Sequence, residues 1–441
     1  MYPLQPRRVG YRRHYHSLKP FCLTIVVLGI TASVMGEGFR NPTIGAFDLG
    51  RSGGRIAQVD DASAVQQNPA NLVGITNAEA QLAPSVVFIR ANFQSAAAPG
   101  QSASTEDPWK LLPNFFVSAP LKNDRFAVGL GVTVPYGLGN EWNQNTSAFA
   151  PFTGSLRYQT PYSSDLQTIN LNPSVAIRLS DSLSIGIGLD VMWSSLTLKQ
   201  YYPSFLLGGA GDSNLEADGD GWGIGGNFGL TWKITEHQRF AVTYRSPMDI
   251  DYSGSFTMDN ITPTEAYYGA TAKSDFKTTV KFPTIASAGY GLDLTDKIRL
   301  ESDFEWIEFS RFKSLDLNAG NNSILFTLLG KSGSTPQNWH NTFTAGIGGD
   351  WQFADHWVLR GGYQYFESPV PDSTFSPTIP DANQNVITLG LGWKSRHHSL
   401  EAAYGLDFYN DRQITNDQNP VFNGKYTFTV HLFSLAYSYS F

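Results

Sequence analysis

Two arginines are placed where they could bind a carboxylate. Arg245 and Arg360 each alternate with apolar residues along segments that have a period of two, and so do the acids Asp303 and Glu305. A guanidinium can form paired hydrogen bonds to the carboxylate of a bound molecule. The same arginines could instead pair with acids such as Asp303 or Glu305, and that arrangement is the more common one. The sequence therefore leaves both ligand binding and internal ion pairing open for Arg245 and Arg360.

Other kinds of chemistry have little support in the sequence. The eight histidines are scattered, and no metal-ligand spacing recurs. A Ser-His hydrolase would need its histidine near an outer rim, where His340 is the candidate. The glycine-rich segment 221–226 lies inside a strand pattern with no helix after it, so it does not indicate a dinucleotide loop. We therefore expect neither an enzyme nor a cofactor or metal site.

The segments that carry these side chains alternate with a period of two from about residue 79 to the C-terminus. Leu183, Ile185, Ile187 and Leu189, for example, share one face. An arginine or lysine on a lipid-facing position costs about 2–4 kcal/mol at mid-bilayer, so the charged face must line a lumen. About fourteen such segments alternate between short turns and long loops, which predicts an all-β, fourteen-stranded antiparallel transmembrane β-barrel. The predicted long loops are 94–108, 136–165, 200–219, 254–274, 318–338, 368–382 and 415–424.

Both ends of the chain indicate export to a bacterial outer membrane. Residues 1–36 have a basic head, a short apolar run and a small-residue exit, which predicts a signal peptide cleaved near Gly36–Glu37. The last strand alternates aromatic or apolar with small residues and ends on Phe441. A terminal aromatic residue resembles the strand by which outer-membrane barrels are recognised for assembly. The expected localisation is therefore the bacterial outer membrane, with the outer-membrane assembly machinery and lipid as partners.

Composition excludes other classes of protein. The chain is 41% hydrophobic and has no apolar stretch of 18 residues, which excludes a helical membrane protein. The predicted signal peptide carries five of the 31 basic residues and none of the 38 acidic ones, which leaves a mature net charge of −12. An acidic chain argues against nucleic acid as a partner.

Residues 37–78 are small, polar and rich in turns, so they cannot build a core of their own. A short helix is expected after Asp60 and Asp61, whose charges suit the positive end of a helix, and Pro69 should end it. Many inward positions of the strands are glycine, which leaves space beside the wall. We therefore predict three regions: a signal peptide at 1–36, an N-terminal plug at 37–78 inside the lumen, and a barrel at 79–441.

The residues of this segment carry a specific resemblance. Gly50-Arg51, Asp60-Asp61-Ala62 and Asn68-Pro69-Ala70 resemble the plug of the FadL/TodX family, outer-membrane channels for long-chain fatty acids and other hydrophobic compounds. The resemblance extends over nearly all of the mature chain, although no single motif is decisive. Further matching segments are Gly221–Leu230, Arg239 with Tyr244–Ser246, Phe282-Pro283, and Glu367–Pro371 with Ile379–Asp381.

The resemblance implies a monomeric barrel in which loops capture the hydrophobe and an inner pocket passes it sideways through a gap at a kinked third strand. That strand is expected at about 125–135, with Gly129, Gly131 and Pro135 as tolerated kink positions. Asn68, Pro69 and Ala70 are then expected to face the gap as gating residues. A plain tight turn and glycines that only relieve crowding remain the alternative interpretation.

Ligand contacts are less specific. Phe39 matches an aromatic residue that borders the family's inner pocket, and Arg245 and Arg360 are candidate carboxylate ligands. Three apolar loop segments could be capture sites or could only pack the loops together. Where the family has basic residues near the top of the fifth strand, this chain has uncharged ones, which weakens the case for an acidic substrate. The loop segments are Tyr201–Leu207 with Phe205, Leu206 and Leu207, then Tyr267–Tyr268, and Ile324–Leu329; the uncharged replacements are Ser194, Ser195 and Gln200.

The leading function is therefore passive uptake of a long-chain fatty acid or another hydrophobic small molecule. The alternative is a general porin for small polar solutes, which needs an open aqueous lumen and would show steady ion conductance. Residues 37–78 argue against such a lumen.

Overall fold

The computed structural model describes residues 37–41, 44–121, 124–328 and 332–441. The predicted signal peptide, residues 1–36, lies outside the described residues. The described chain forms an antiparallel barrel of fourteen strands, some of which are interrupted where the backbone bends. They are β1 (Glu79–Leu82 and Ser85–Ser95), β2 (Ser102–Ser104, Trp109–Leu112 and Phe115–Pro120), β3 (Phe126–Thr133 and Gly137–Glu141), β4 (Ser163–Arg178), β5 (Leu183–Tyr202), β6 (Ser213–Lys233), β7 (Gln238–Arg245 and Met248–Met258), β8 (Lys273–Phe282 and Ile285–Thr295), β9 (Ile298–Ile307), β10 (Thr342–Ala354), β11 (Trp357–Phe366), β12 (Gln384–Lys394), β13 (His398–Tyr409 and Arg412–Ile414) and β14 (Gly424–Ser440).

Each strand pairs with the next, and the last pairs with the first. Ser440 lies opposite Glu79 and Ser434 opposite Ser85, so β14 closes the sheet onto β1. Closure removes the free edges that an open sheet would have at β1 and β14, which favours a β-structure in lipid because unpaired backbone groups there are costly. The predicted fold is confirmed.

Alternation of burial shows which face meets lipid. On β5, Ile187 and Leu189 are 56% and 47% exposed, and on β12 Ile387 and Leu389 are 55% and 58% exposed. The alternate side chains of the strands point inward, as the buried acids Glu301, Asp303 and Glu305 of β9 do. The period-two pattern of the sequence therefore assigned the faces correctly, because side chains alternate strictly along a strand.

Short helices lie in the N-terminal segment and in the long loops. None of the helices in the described part of the chain is long and apolar enough to cross a membrane. A separate two-stranded hairpin pairs Ser314–Asp316 with Ser334–Pro336. The α-helices are α1 (Ala46–Gly50), α2 (Ala64–Gln67), α3 (Pro263–Tyr267) and α4 (Ser323–Leu328), and the 3₁₀ turns are Pro69–Gly74, Ser147–Phe149, Ser204–Leu207, Phe309–Arg311, Gly320–Asn322, Asp372–Thr374 and Pro420–Phe422.

Candidate functional site

The N-terminal segment, residues 37–78, packs against the inward faces of the barrel strands. A Cβ atom on Gly348 would lie 2.5 Å from the carbonyl oxygen of Arg51, and one on Gly362 would lie 2.3 Å from that of Ser52. Glycine is needed here because backbone approaches backbone. The expected helix is present as α2, and it ends before Pro69 as predicted.

Inward acids on β9 hold this segment. The carboxylate of Glu301 accepts hydrogen bonds from three consecutive backbone N–H groups, those of Ile56, Ala57 and Gln58. Asp303 accepts one from the backbone N–H of Arg55 at 2.7 Å. Carboxylates that accept several backbone N–H bonds form strong, charge-assisted contacts, so β9 fixes the position of residues 55–58.

Buried ion pairs reinforce the same contact. The guanidinium of Arg55 pairs with Glu305 and, at 3.2 Å, with Asp48. Arg40 also pairs with Glu305, while Arg51 lies 3.1 Å from Asp350 of β10. Breaking a buried pair on one side leaves an uncompensated charge that costs about 3–5 kcal/mol. The inward acids that the sequence offered to Arg245 and Arg360 are thus used by the N-terminal segment instead.

Phe39 is the centre of an aromatic cluster. Its ring is 1% exposed and stacks on Trp339 at 5.2 Å, with edge contacts to four further aromatic rings. These come from β8, from the break in β3 and from the turn after β9. The expectation that Phe39 borders an inner pocket stays a prediction; the structure shows its ring packed within this cluster. The four edge partners are Tyr136, Phe282, Phe309 and Phe312.

The wall has an interruption between β2 and β3. The two strands pair from Phe115–Val132 to Pro120–Ala127. They pair again at the bridge between Thr105 and Trp142. Between these points the segment Trp109–Leu112 pairs with β1 alone, and Gly137–Glu141 pairs with β4 alone. We call this interruption the β2–β3 opening; it spans residues 107–114 and 133–140.

The N-terminal segment covers the inner side of this opening. The backbone N–H of Asn41 donates to the carbonyl of Pro135 at 2.9 Å, and the N–H of Gly137 donates to the carbonyl of Phe39 at 2.8 Å. The side chain of Asn41 also donates to the carbonyl of Val134. These bonds satisfy backbone groups that a break in the wall would otherwise leave unpaired in lipid, at several kcal/mol each.

Two of the predicted kink positions need correction. β3 is interrupted at residues 134–136, which include Pro135, whereas Gly129 and Gly131 lie in a regular ladder. A Cβ on Gly129 would lie 2.4 Å from Val65, so that glycine makes room for the N-terminal segment instead of bending the strand. Pro135 has no N–H to give to a ladder, and it lies in the break between Thr133 and Gly137.

The Asn68-Pro69-Ala70 turn lies elsewhere than expected. Asn68 donates to the carbonyl of Ile56 and to Thr231 of β6, both at 2.9 Å. Pro69 and Ala70 press against Gly186 of β5. The turn therefore faces β5 and β6, whereas the residues of the segment that meet β3 include Val65, Gln66 and Phe39–Asn41.

Arg245 borders a small cavity beside the N-terminal segment. Its guanidinium is paired with Asp190 and donates to the carbonyl of Gln66 at 3.2 Å. The cavity has about 70 Å³ of free space. Ligand pockets usually offer about 300–1,000 Å³, so a long-chain molecule enters only if side chains move. Other lining residues are Arg40, Ile44, Ile56, Pro69, Pro135, Tyr136 and Glu305.

Arg360 does not share that cavity. It pairs with Glu401 at 2.8 Å and lies over the ring of Phe47 at 5.1 Å. It borders a wider space of about 540 Å³ at the end of the barrel that carries the short turns, together with Asp60 and Asp350. Arg245 and Arg360 therefore cannot act on one carboxylate together.

The apolar loop residues form an aromatic patch at the opposite end. Phe205 packs edge-on against Phe152 at 4.9 Å, and Leu206 next to it is 65% exposed. Leu207 ends the same 3₁₀ turn. Tyr267 is 84% exposed and contacts the ring of Tyr268. Exposed apolar clusters of this kind often mark binding surfaces.

Two carboxyl groups near the start of the N-terminal segment titrate unusually. Burial raises the pKa of Glu37 to about 7, against the opposing charge of Arg40. Burial raises the pKa of Asp381 to about 6, although Ser368 and the backbone N–H of Gly38 donate to it. Both groups therefore keep their protons to a higher pH in the folded protein than an exposed carboxyl does.

Comparison with known proteins agrees with this architecture. The sequence profile of the family described as "Outer membrane protein transport protein (OMPP1/FadL/TodX)" matches residues 27–441. The long-chain fatty acid transport protein of Escherichia coli O6:H1 is 27% identical over 414 residues, which cover 84% of this chain and 86% of that protein. Outer membrane protein P1 of Haemophilus influenzae is 26% identical, with coverage of 95% and 98%.

Solved structures show the same fold. A FadL homologue from Pseudomonas aeruginosa has a TM-score of 0.78 at 23% identity, and the alignment covers 92% of this chain and all of that one. The Ralstonia pickettii toluene transporter TbuX has a TM-score of 0.67 at 19% identity, with coverage of 91% and 99%. With a profile match over almost the whole sequence, the chain belongs to the OMPP1/FadL/TodX family of transport proteins of the bacterial outer membrane.

Proposed function

We propose that this protein takes up long-chain fatty acids or related hydrophobic compounds passively, and releases them sideways through the β2–β3 opening. Relatives are named long-chain fatty acid transport proteins, and two solved relatives are toluene transporters. The single observation that carries the lateral route is the missing ladder between Trp109–Leu112 and Gly137–Glu141. The proposal needs no catalytic step.

Residues 37–78 act in this proposal as a plug. Their ion pairs and backbone contacts with β9 to β12 fill the lumen, which supports a route for hydrophobes over a water-filled pore. Phe39–Asn41 cover the inner side of the opening, and Asn68, Pro69 and Ala70 hold the plug against β5 and β6. Movement of Phe39–Asn41 would connect the small cavity at Arg245 with the β2–β3 opening in the wall.

Sideways release also follows from the free energy of a hydrophobe. Each CH₂ group gains roughly 0.8 kcal/mol on leaving water, so a chain of about 16 carbons gains more than about 10 kcal/mol. Release into the periplasm would forfeit that gain, whereas release into the bilayer keeps it. No energy source is then required.

We propose that the aromatic patch at Phe152, Phe205 and Leu206 captures the hydrophobe at the outer end of the barrel. We also propose that the barrel acts as a monomer. Assembly through the terminal strand, which ends on Phe441, is part of the same proposal. These features are supported by exposure and by sequence pattern.

A cross-link across the opening tests the route. Cysteines at Leu111 and Gly139 would be joined by a short, reducible bis-maleimide, and uptake of palmitate measured in whole cells before and after reduction. We expect cross-linking to lower uptake severalfold and reduction to restore it. The matched control is the Val117→Cys/Leu130→Cys pair, which faces itself across the intact ladder just below. Unchanged uptake after complete cross-linking of the test pair would exclude the lateral route.

A further inference from the structure

A buried lysine borders the β2–β3 opening. Lys110 is 9% exposed, whereas its neighbours Trp109 and Leu111 are 57% and 40% exposed, so Lys110 points into the barrel. Its backbone pairs with Val87 of β1, whereas its ammonium makes no hydrogen bond and no ion pair among the described residues. Lysine is almost never buried without a partner, and an ionisable side chain inside a membrane protein is a functional candidate for that reason.

The register places Lys110 beside the plug. The ladders above and below the opening have the same register, and extending it across the opening puts Lys110 level with Gly137. The N–H of Gly137 is the group that donates to the carbonyl of Phe39. The lysine is therefore at the level along the strands where the segment at Phe39 meets the break in the wall.

The surroundings of Lys110 are apolar. Val87 lies opposite it on β1, and Ile89 and Leu112 are buried on the same face. Glu141, at the upper end of the opening, is within electrostatic range but outside ion-pair distance. By contrast Arg245 and Arg360 already have carboxylate partners. Lys110 thus presents a cation that an incoming anion can bind without displacing an acid of the protein.

We propose that Lys110 is a carboxylate-binding site on the exit route, specific for hydrophobic acids over neutral hydrophobes; this rests on the proposed lateral transport. An ammonium offers three donors to a carboxylate, and such charge-assisted bonds are about twice as strong as neutral ones. A fatty acid anion must bring its charge to the low-dielectric wall before its tail reaches lipid, and Lys110 offsets that cost. A hydrocarbon or an alcohol gains nothing from the same contact.

The test compares two molecules of equal chain length. Uptake of palmitate and of 1-hexadecanol that depends on the protein is measured in cells producing wild-type protein, Lys110→Met, Lys110→Gln or Lys110→Arg. We expect Lys110→Met and Lys110→Gln to lower palmitate uptake about tenfold, as loss of one hydrogen bond to a charged group predicts. Hexadecanol uptake should stay unchanged, and Lys110→Arg should keep most palmitate uptake.

Controls separate this role from others. Lys277→Met removes one exposed lysine from β8 and should change neither substrate. Glu141→Gln tests whether Lys110 only braces the opening through that acid; a bracing role would make Glu141→Gln and Lys110→Met alike, with both substrates affected equally, and would overturn the proposal. Heat-modifiable migration in gels confirms folding of each variant, and having two neutral variants guards against misfolding of one.

Two further outcomes distinguish failure of the Lys110 site from failure of the proposed function. Palmitate uptake that survives both neutral substitutions overturns the role of Lys110 while the proposed transport stands. Wild-type protein that raises uptake of neither substrate overturns the proposed function and this site together.

Discussion

The proposed plug, residues 37–78, contacts the barrel in two different ways on its two sides. Toward β9 to β12 it is held by buried ion pairs and by backbone packed on glycine, as at Arg55 with Glu305 and at Gly53 with Gly346. Toward β2 and β3 it is held by backbone hydrogen bonds at Phe39–Asn41. The first kind of contact is lost only at a large cost, because charges and backbone groups would be left buried and unpaired.

Contacts on the second side are released more easily. The β2–β3 opening has equal numbers of residues on its two edges and the same register above and below. Phe39–Asn41 contact β3 through hydrogen bonds and ring packing, with no ion pair to β2 or β3 among the described residues, so their withdrawal would leave no charge of those strands without a partner. The comparison teaches that the proposed plug is anchored on one side and more easily released on the other, which is the arrangement that the proposed lateral gate requires.

Breaking the anchor at its charges should have the largest effect. Arg55→Met leaves Asp48 buried without its partner and removes one of two arginines from Glu305. We expect the plug to be destabilised by about 3–5 kcal/mol. Limited proteolysis followed by mass spectrometry should find new cleavage within residues 37–78, while the barrel persists. Arg311→Met is the control, because its partner Asp249 is half exposed and surface pairs contribute about 0–1 kcal/mol.

Crowding the anchor should be nearly as disruptive. Gly53 has φ of 85°, and a Cβ there would lie 2.5 Å from the carbonyl oxygen of Tyr363. Gly53→Ala combines left-handed strain with a clash against backbone, so we expect a loss of about 3 kcal/mol, read by hydrogen exchange of the plug. Gly100→Ala shares the positive φ, at 88°, with open space around it, and should cost about 1 kcal/mol. Equal effects at the two glycines would contradict the close packing.

The anchor should also weaken as pH rises. Glu37 and Asp381 have pKa values of about 7 and about 6 in the folded protein, above their ordinary values. A carboxyl whose pKa is raised stabilises the folded form below its unfolded pKa, and that stabilisation is lost as pH rises through the folded pKa. We expect plug protection to fall by about 4 kcal/mol between pH 5 and pH 8, with the steepest change near pH 5–6, where both carboxyl groups release protons on unfolding.

A neutral residue at one site isolates this effect. Asp381→Asn keeps a hydrogen-bonding group beside Gly38 and Ser368 but cannot ionise. Hydrogen exchange of the plug in this variant should vary less between pH 5 and pH 8 than in the wild type. Asp372→Asn, in the same loop but half exposed, should leave the pH dependence intact.

The sequence predicted the barrel well because its signal is local. Alternation along Leu183–Leu189 and the terminal strand depends on neighbouring residues only, and each strand repeats the same rule. The ion pairs between Arg55 and β9 were missed, since about 250 residues separate the partners and no spacing links them. Lys110 was missed for the same reason: only pairing with β1, and its absence on the β3 side, shows that the lysine borders an opening.

The smallest effect should come from crowding the side that is more easily released. A Cβ on Gly129 of β3 would meet Val65, but the atom in the way is the end of a side chain that can move. Gly129→Ala should therefore cost the plug about 1 kcal/mol, and Val65→Ala in the same protein should recover most of it. Hydrogen exchange measures both. If Gly129→Ala released the plug as fully as Gly53→Ala, the two sides would be equally rigid, and the opening would be a fixed feature of the wall instead of a gate.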